Sequence, residues 1–146
     1  MKRFAQCVSL VLILAICLAI PAYAVEETSP WASSYFASRS AYLWKISGSQ
    51  FQVWFDVGAV GGMAELGASK IKVQRSSDNS NWTTMQTYIK EDYSSMIGYN
   101  TGDHNSYVTY YTGESGYYYR AYVEFYAKNS SGGCGYYDYY TASIKL

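Results

Sequence analysis

The stretch "GYYYRAYVEFYA", Gly116 to Ala127, places five tyrosines in twelve residues around one arginine and one glutamate. In a strand, successive side chains face opposite sides. One face is then Tyr117, Tyr119, Ala121, Val123 and Phe125, which becomes steadily apolar and suits a core. The other is Tyr118, Arg120, Tyr122, Glu124 and Tyr126, an aromatic ladder interleaved with opposite charges. Tyrosine favours strands, packs across them and keeps its hydroxyl wet, so this second face suits the solvated side of a sheet. The stretch therefore reads as an amphipathic strand, and structure alone explains it without a ligand.

The rest of the chain carries the same punctuation. Short runs rich in Tyr, Val, Ile, Phe, Thr and Trp alternate with Gly, Ser, Asn and Asp clusters, and no helical period is sustained. A first strand is predicted within Tyr35–Ile46. "QFQVWFDVGAV", residues 50–60, sets Phe51, Val53, Phe55 and Val57 against Gln52, Trp54 and Asp56. "GGMAELGA" reads as a loop, "KIKVQRS" as a third strand over 70–76, and "WTTMQTYIK" as a fourth over 82–90. Glu91 to Asn105 shows no period and leaves a further strand there open. "SYVTYYT" (106–112), the opening stretch and Tyr136–Leu146 complete the set. Seven short strands at this spacing predict an all-β, seven-stranded antiparallel sandwich of two sheets.

The N-terminus, "MKRFAQCVSLVLILAICLAIPAYA", joins Lys2 and Arg3 to an apolar run that ends at Pro21. Ala22-Tyr23-Ala24 then supplies the small-x-small pattern of a cleavage site, which marks residues 1–24 as a signal peptide. The run is short of the roughly 20 residues of a spanning helix, so no membrane insertion is expected after cleavage. Residues 25–34 read as a flexible lead-in and 35–146 as one domain. The expected location is extracellular, or the periplasm if the cell has two membranes. Cleavage leaves 122 residues, enough to bury about two-thirds of the unfolded surface. It also removes Cys7 and Cys17, leaving Cys134 without an intrachain partner and open to pairing between chains.

Without Lys2 and Arg3 the chain has 9 basic and 11 acidic residues, a balance that excludes a phosphate-binding, nucleic-acid role. Catalytic groups are sparse. His104 is the one histidine, so any zinc site or triad must use it. A Cys134–His104 pair oriented by Asp103 is topologically allowed. However, "GGCG" suits a mobile connection, and no oxyanion site accompanies it. Glu91 and Asp92 are adjacent and do not converge as glycosidase carboxylates. Asp78-Asn79-Ser80-Asn81 lacks the spacing of a calcium loop and reads as an Asx-rich turn. No phosphate loop or dinucleotide fingerprint occurs. The reading is of a protein that is not an enzyme and has no cofactor or metal.

Two functional classes follow. In the first, exposed aromatics grip carbohydrate or a cell-surface protein. The candidates are Trp54, Tyr118, Tyr122 and Tyr126, with Arg120 among them, provided the second and sixth strands share a sheet. In the second, the domain is a structural or self-associating envelope protein whose tyrosines only pack. A contiguous aromatic patch separates the first class from the second.

"GYYYRAYVEFYA", with "KIKVQRSSDNSNWTTM" upstream, resembles fibronectin type III and related immunoglobulin-like sandwiches. The resemblance spans most of the mature chain. It implies a tyrosine corner, for which Tyr117, three residues before Arg120, is the candidate. The near absence of proline and the segment "YYTGESG" depart from the family's pattern. The whole chain also resembles small secreted proteins of Gram-positive bacteria from an uncharacterised family, a likeness that implies location and fold and no activity.

Overall fold

A computed structural model describes residues 34–146. The expected signal peptide, and the lead-in up to residue 33, lie outside the described residues. The described chain is all-β. It forms strands β1 (Phe36–Ser47), β2 (Gln50–Ser76), β3 (Thr83–Ile89), β4 (Ile97–Tyr110), β5 (Tyr118–Lys128), β6 (Cys134–Tyr140) and β7 (Ile144–Lys145), with a 3-10 turn at Ser94–Met96. All seven strands pair antiparallel in one hydrogen-bonded sheet that curls on itself. No helix among the described residues is long and apolar enough to cross a membrane.

The curl originates in β2, which runs 27 residues without interruption. Its first half pairs with β1 on one side and with residues 103–110 of β4 on the other. Its second half pairs with β3 on one side and β5 on the other, and β5 carries β6 and β7. Two strands and a loop were expected here. The "GGMAELGA" segment is instead held as strand because Glu65, Leu66 and Gly67 pair with both β4 and β5. The pairing with β4 slips between Gly58 and Met63, where Gly61 adopts φ +88, a conformation glycine takes at little cost.

Two further boundaries differ from expectation. β4 begins at Ile97, so the aperiodic segment holds the start of this strand and no separate one. The predicted last strand is broken at Thr141. There the threonine hydroxyl accepts the Ala121 N–H at 3.0 Å, and the Thr141 N–H donates to the Ala121 carbonyl at 2.9 Å. The count of seven is thus reached by fusing the second and third predicted strands and splitting the last.

The core lies inside the curl. Phe51, Val53, Phe55 and Val57 from the first half of β2 meet Tyr119, Ala121, Val123 and Phe125 of β5, all essentially without solvent exposure. Phe51 contacts Tyr119 at 5.3 Å between ring centroids, and Phe55 meets Phe125 edge-on at 6.3 Å. Each buried valine or phenylalanine among them contributes about 1.5–3 kcal/mol. The alternation expected for "GYYYRAYVEFYA" therefore holds on its inner face. In the second half of β2 the inward residues change from Leu66 and Ala68 to Ile71 and Val73. A register shift at Ser69 makes this change of parity, and the Ser69 hydroxyl donates to the Glu124 carboxylate at 2.6 Å.

The tyrosine whose hydroxyl bonds the backbone of the loop before β5 is Tyr119, where Tyr117 was expected. The Tyr119 phenol oxygen accepts the Glu114 N–H at 2.8 Å from a fully buried ring. Tyr117 is half-buried, with the Arg75 guanidinium 4.4 Å from its ring. The strand proper begins at Tyr118; Tyr117 packs against the margin of the core, and Tyr119 is the first fully buried residue of β5.

Candidate functional site

The curled sheet has two outward faces with different chemistry. On the face made by β5, β6 and the second half of β2, the protein's own cations cover the rings. Arg120 lies between Trp82 and Tyr140, 4.4 and 4.5 Å from their centroids, and its Nε donates to Gln74 at 2.8 Å. Lys72 sits 5.3 Å over Tyr122, Lys90 3.9 Å over Tyr126 and Lys145 5.0 Å over Tyr118. The Tyr122 hydroxyl donates to Asp138 at 2.7 Å. Burial, reinforced by Asp138, holds this phenol's pKa well above the ordinary tyrosine range. Tyr126 is only 4% exposed, packs at a tilt against the Tyr136 ring, and its phenol pKa is pushed up mainly by burial. Lys90 and Lys128 both pair with Glu65, at 3.4 and 3.2 Å. The lysines outweigh the desolvation that would raise the Glu65 carboxyl, and its pKa is lowered. Tyr118, Arg120, Tyr122 and Tyr126 are therefore engaged within the fold, each by partners on this face.

The face made by β1, the first half of β2 and β4 is different. Trp54 is paired with Tyr42 on one side and Tyr107 on the other, so three aromatics form one row across three strands. The Trp54 and Tyr107 rings pack with centroids 4.6 Å apart and their planes tilted by 33°. Trp44, two residues along β1 from Tyr42, faces Gln52, whose side-chain oxygen accepts the Trp54 indole N–H at 2.8 Å. Tyr42, Trp44 and Tyr107 are 50%, 61% and 44% exposed, and a shallow depression of about 250 Å³ lies between Tyr42, Trp44, Gln52 and Trp54. None of the cation–ring contacts among the described residues involves these four aromatics. In the next row Asp56 lies between Ser40 and Asn105, so polar groups border the patch.

Trp54 and the β5 tyrosines do not form one patch, because β5 pairs with the second half of β2 and the two halves meet through their inner faces. Trp54 instead gathers Tyr42, Trp44 and Tyr107, which the sequence reading did not select. The available signal was alternation: Tyr42 and Trp44 share parity on β1, as Gln52 and Trp54 do on β2.

The Cys134–His104 pair is not formed. The His104 Nε2–H donates to the Ser95 carbonyl at 2.9 Å, and its ring packs on Phe55 at 5.9 Å. Cys134 is exposed, with its Sγ 3.8 Å from the Tyr126 hydroxyl and 3.6 Å from the Gly132 carbonyl. The glycines around it admit the Tyr35 side chain: a Cβ on Gly135 would lie 2.6 Å from the Tyr35 ring. Gly133 and Gly135 are packing glycines, whereas Gly132 has open space around it and turns the chain at φ +91. Asp78 spends its oxygens on its own turn, accepting from Ser76, the Ser80 and Asn81 N–H groups and the Asn81 amide at 2.7–2.9 Å. These bonds, that from the Asn81 N–H foremost, hold its carboxyl well below the usual range. Among the described residues, no group of three or more His, Cys, Asp or Glu is placed to hold a metal ion.

Compared with known proteins, the chain matches no family model, no curated protein and no solved structure.

Proposed function

We propose that this is an exported, non-catalytic binding module that takes carbohydrate on the aromatic face of β1, β2 and β4. The carrying observation is the row Tyr42–Trp54–Tyr107 with Trp44 beside it, open to solvent and free of covering cations. Rigid aromatic side chains bury contact area at low entropic cost. Their faces suit the C–H faces of sugar rings, while Gln52, Asp56 and Asn105 supply hydrogen bonds to hydroxyls. Export is supported by the charged, apolar and small-residue order of Met1–Ala24.

The scaffold is read as a fibronectin type III or immunoglobulin-like sandwich. Two features support this: the grouping of β1 and β4 around one half of β2 and of β3, β5 and β6 around the other, and the Tyr119 corner.

The test is binding of the purified protein to a panel of soluble and insoluble polysaccharides and to whole cell walls. Trp44→Ala and Trp54→Ala are expected to weaken binding at least tenfold, and Tyr122→Phe on the opposite face to leave it unchanged. Equal binding by the tryptophan variants would refute the site. If no glycan binds, and the protein forms a dimer that Trp44→Ala dissociates, the face serves self-association instead.

A further inference from the structure

Resting on that reading, we infer that the ligand is an uncharged polysaccharide chain several sugars long. It lies across the strands from Tyr42 over Trp54 and Tyr107, and on into the groove between β4 and β3. The row is perpendicular to the strands, whose spacing of about 4.8 Å sets three rings over roughly 10 Å. It does not stop at the last of them. Tyr107 ends the row and also walls a groove of about 320 Å³, which continues past Tyr111 and Tyr93 to Gln86. Tyr111 and Tyr93 are 63% and 40% exposed, so aromatic surface persists beyond the edge of β4.

The groove is preformed. Its floor residue Tyr88 is buried, donates its hydroxyl to the Thr109 carbonyl at 2.8 Å and meets Tyr93 edge-on at 5.1 Å. A preformed track of this length favours a stretch of several sugars over a single one, since the protein itself needs little ordering for each added contact.

Charge selects the class. Neither the depression beside Trp54 nor the groove is lined by a lysine, arginine, aspartate or glutamate; the polar lining is amide and hydroxyl, as at Gln52, Gln86 and Thr109. An acidic glycan would lose hydration there without a compensating cation. The cations that would serve it, Lys72, Lys90 and Arg120, stack on rings of the other face.

The experiment is calorimetric titration with glucan, mannan, xylan and chitin oligomers of two, four and six sugars, with polyuronate oligomers as the charged comparison. For the neutral class that binds, affinity is expected to rise at least tenfold from dimer to hexamer. Tyr111→Ala and Gln86→Ala should remove most of that increase while leaving dimer binding unchanged. Equal affinity for dimer and hexamer, with Trp54→Ala still abolishing binding, overturns the extended track and leaves the binding face standing. Tighter binding of polyuronate than of any neutral oligomer overturns the assignment of class. Failure of every oligomer to bind overturns this inference together with the reading on which it rests.

Discussion

The Tyr119 phenol oxygen accepts the backbone N–H of Glu114 at 2.8 Å while its ring contacts both Phe51 and Tyr110. One side chain thus ties the loop before β5 to the packing between the two halves of the curl. Removing only the hydroxyl tests that tie. Tyr119→Phe is expected to lower stability by about 1 kcal/mol, the usual net value of one such bond. Tyr117→Phe should change it by less than about 0.5 kcal/mol, as for most surface substitutions. Urea midpoints of the two variants decide between them, and a larger loss for Tyr117→Phe would show that the Tyr119–Glu114 bond is not what ties the loop.

Gly67 sits where β2 is flanked by two strands, and a Cβ there would overlap the backbone carbonyl of Met96. Backbone cannot swing aside as a side-chain end can. Gly67→Ala is expected to cost about 2–3 kcal/mol, in the upper part of the range for overpacking. Gly48→Ala, in the β1–β2 turn with nothing within 4 Å of the added carbon, serves as the neutral control. Thermal denaturation of both variants checks the contrast.

Acid sensitivity follows from Asp78. Its folded pKa is depressed by hydrogen bonds, so its stabilising effect is present above the unfolded carboxyl value of about 3.9 and fades as pH falls through the folded value. Asp78→Ala should therefore be less stable than the parent at pH 6 and lose less on acidification to pH 2. The readout is the denaturant midpoint as a function of pH. Parallel curves for the two proteins would show that the Asx turn contributes nothing to the acid limb.

The alkaline side reverses the sign. Burial, aided by nearby Tyr93, pushes the Tyr88 phenol up to about 12, and the Tyr122 and Tyr126 phenols are raised as well. Groups whose folded pKa is raised stabilise fully below the unfolded value of about 10 and lose that contribution as pH climbs through the folded one. A phenolate absorbance titration should show a class of tyrosines that ionises only as the protein unfolds. Tyr88→Phe should shift that unfolding to higher pH.

Strand character was legible wherever side chains alternated strongly. Phe51–Val57 and Tyr119–Phe125 are buried at the positions the period implied. It was illegible where pairing overrode composition. Gly98, Asn100, Gly102 and Asp103 are weak strand formers, yet β4 runs through them because β2 offers partners on both sides of the slip, at Gly58 and from Met63 to Gly67. The candidate site divided in the same way. Trp54 was found from its outward parity, but its neighbours Tyr42 and Tyr107 come from strands 12 and 53 residues away in sequence, brought together by register. Register is a long-range property, and no local pattern around Trp54 encodes it. The β5 tyrosines misled for a related reason: the cations that cover them, Lys72, Lys90 and Lys145, arrive from three other parts of the chain.

A single strand shared by both halves of the curl also governs how the molecule comes apart. Opening either half means detaching β2, and with it hydrogen-bond partners of the other half. The two halves are therefore expected to unfold together. Amide exchange along Phe51–Val57 and Leu66–Val73 is therefore expected to proceed by global unfolding, and refolding to be slow, because β2 must find distant partners at both ends before either half is secured.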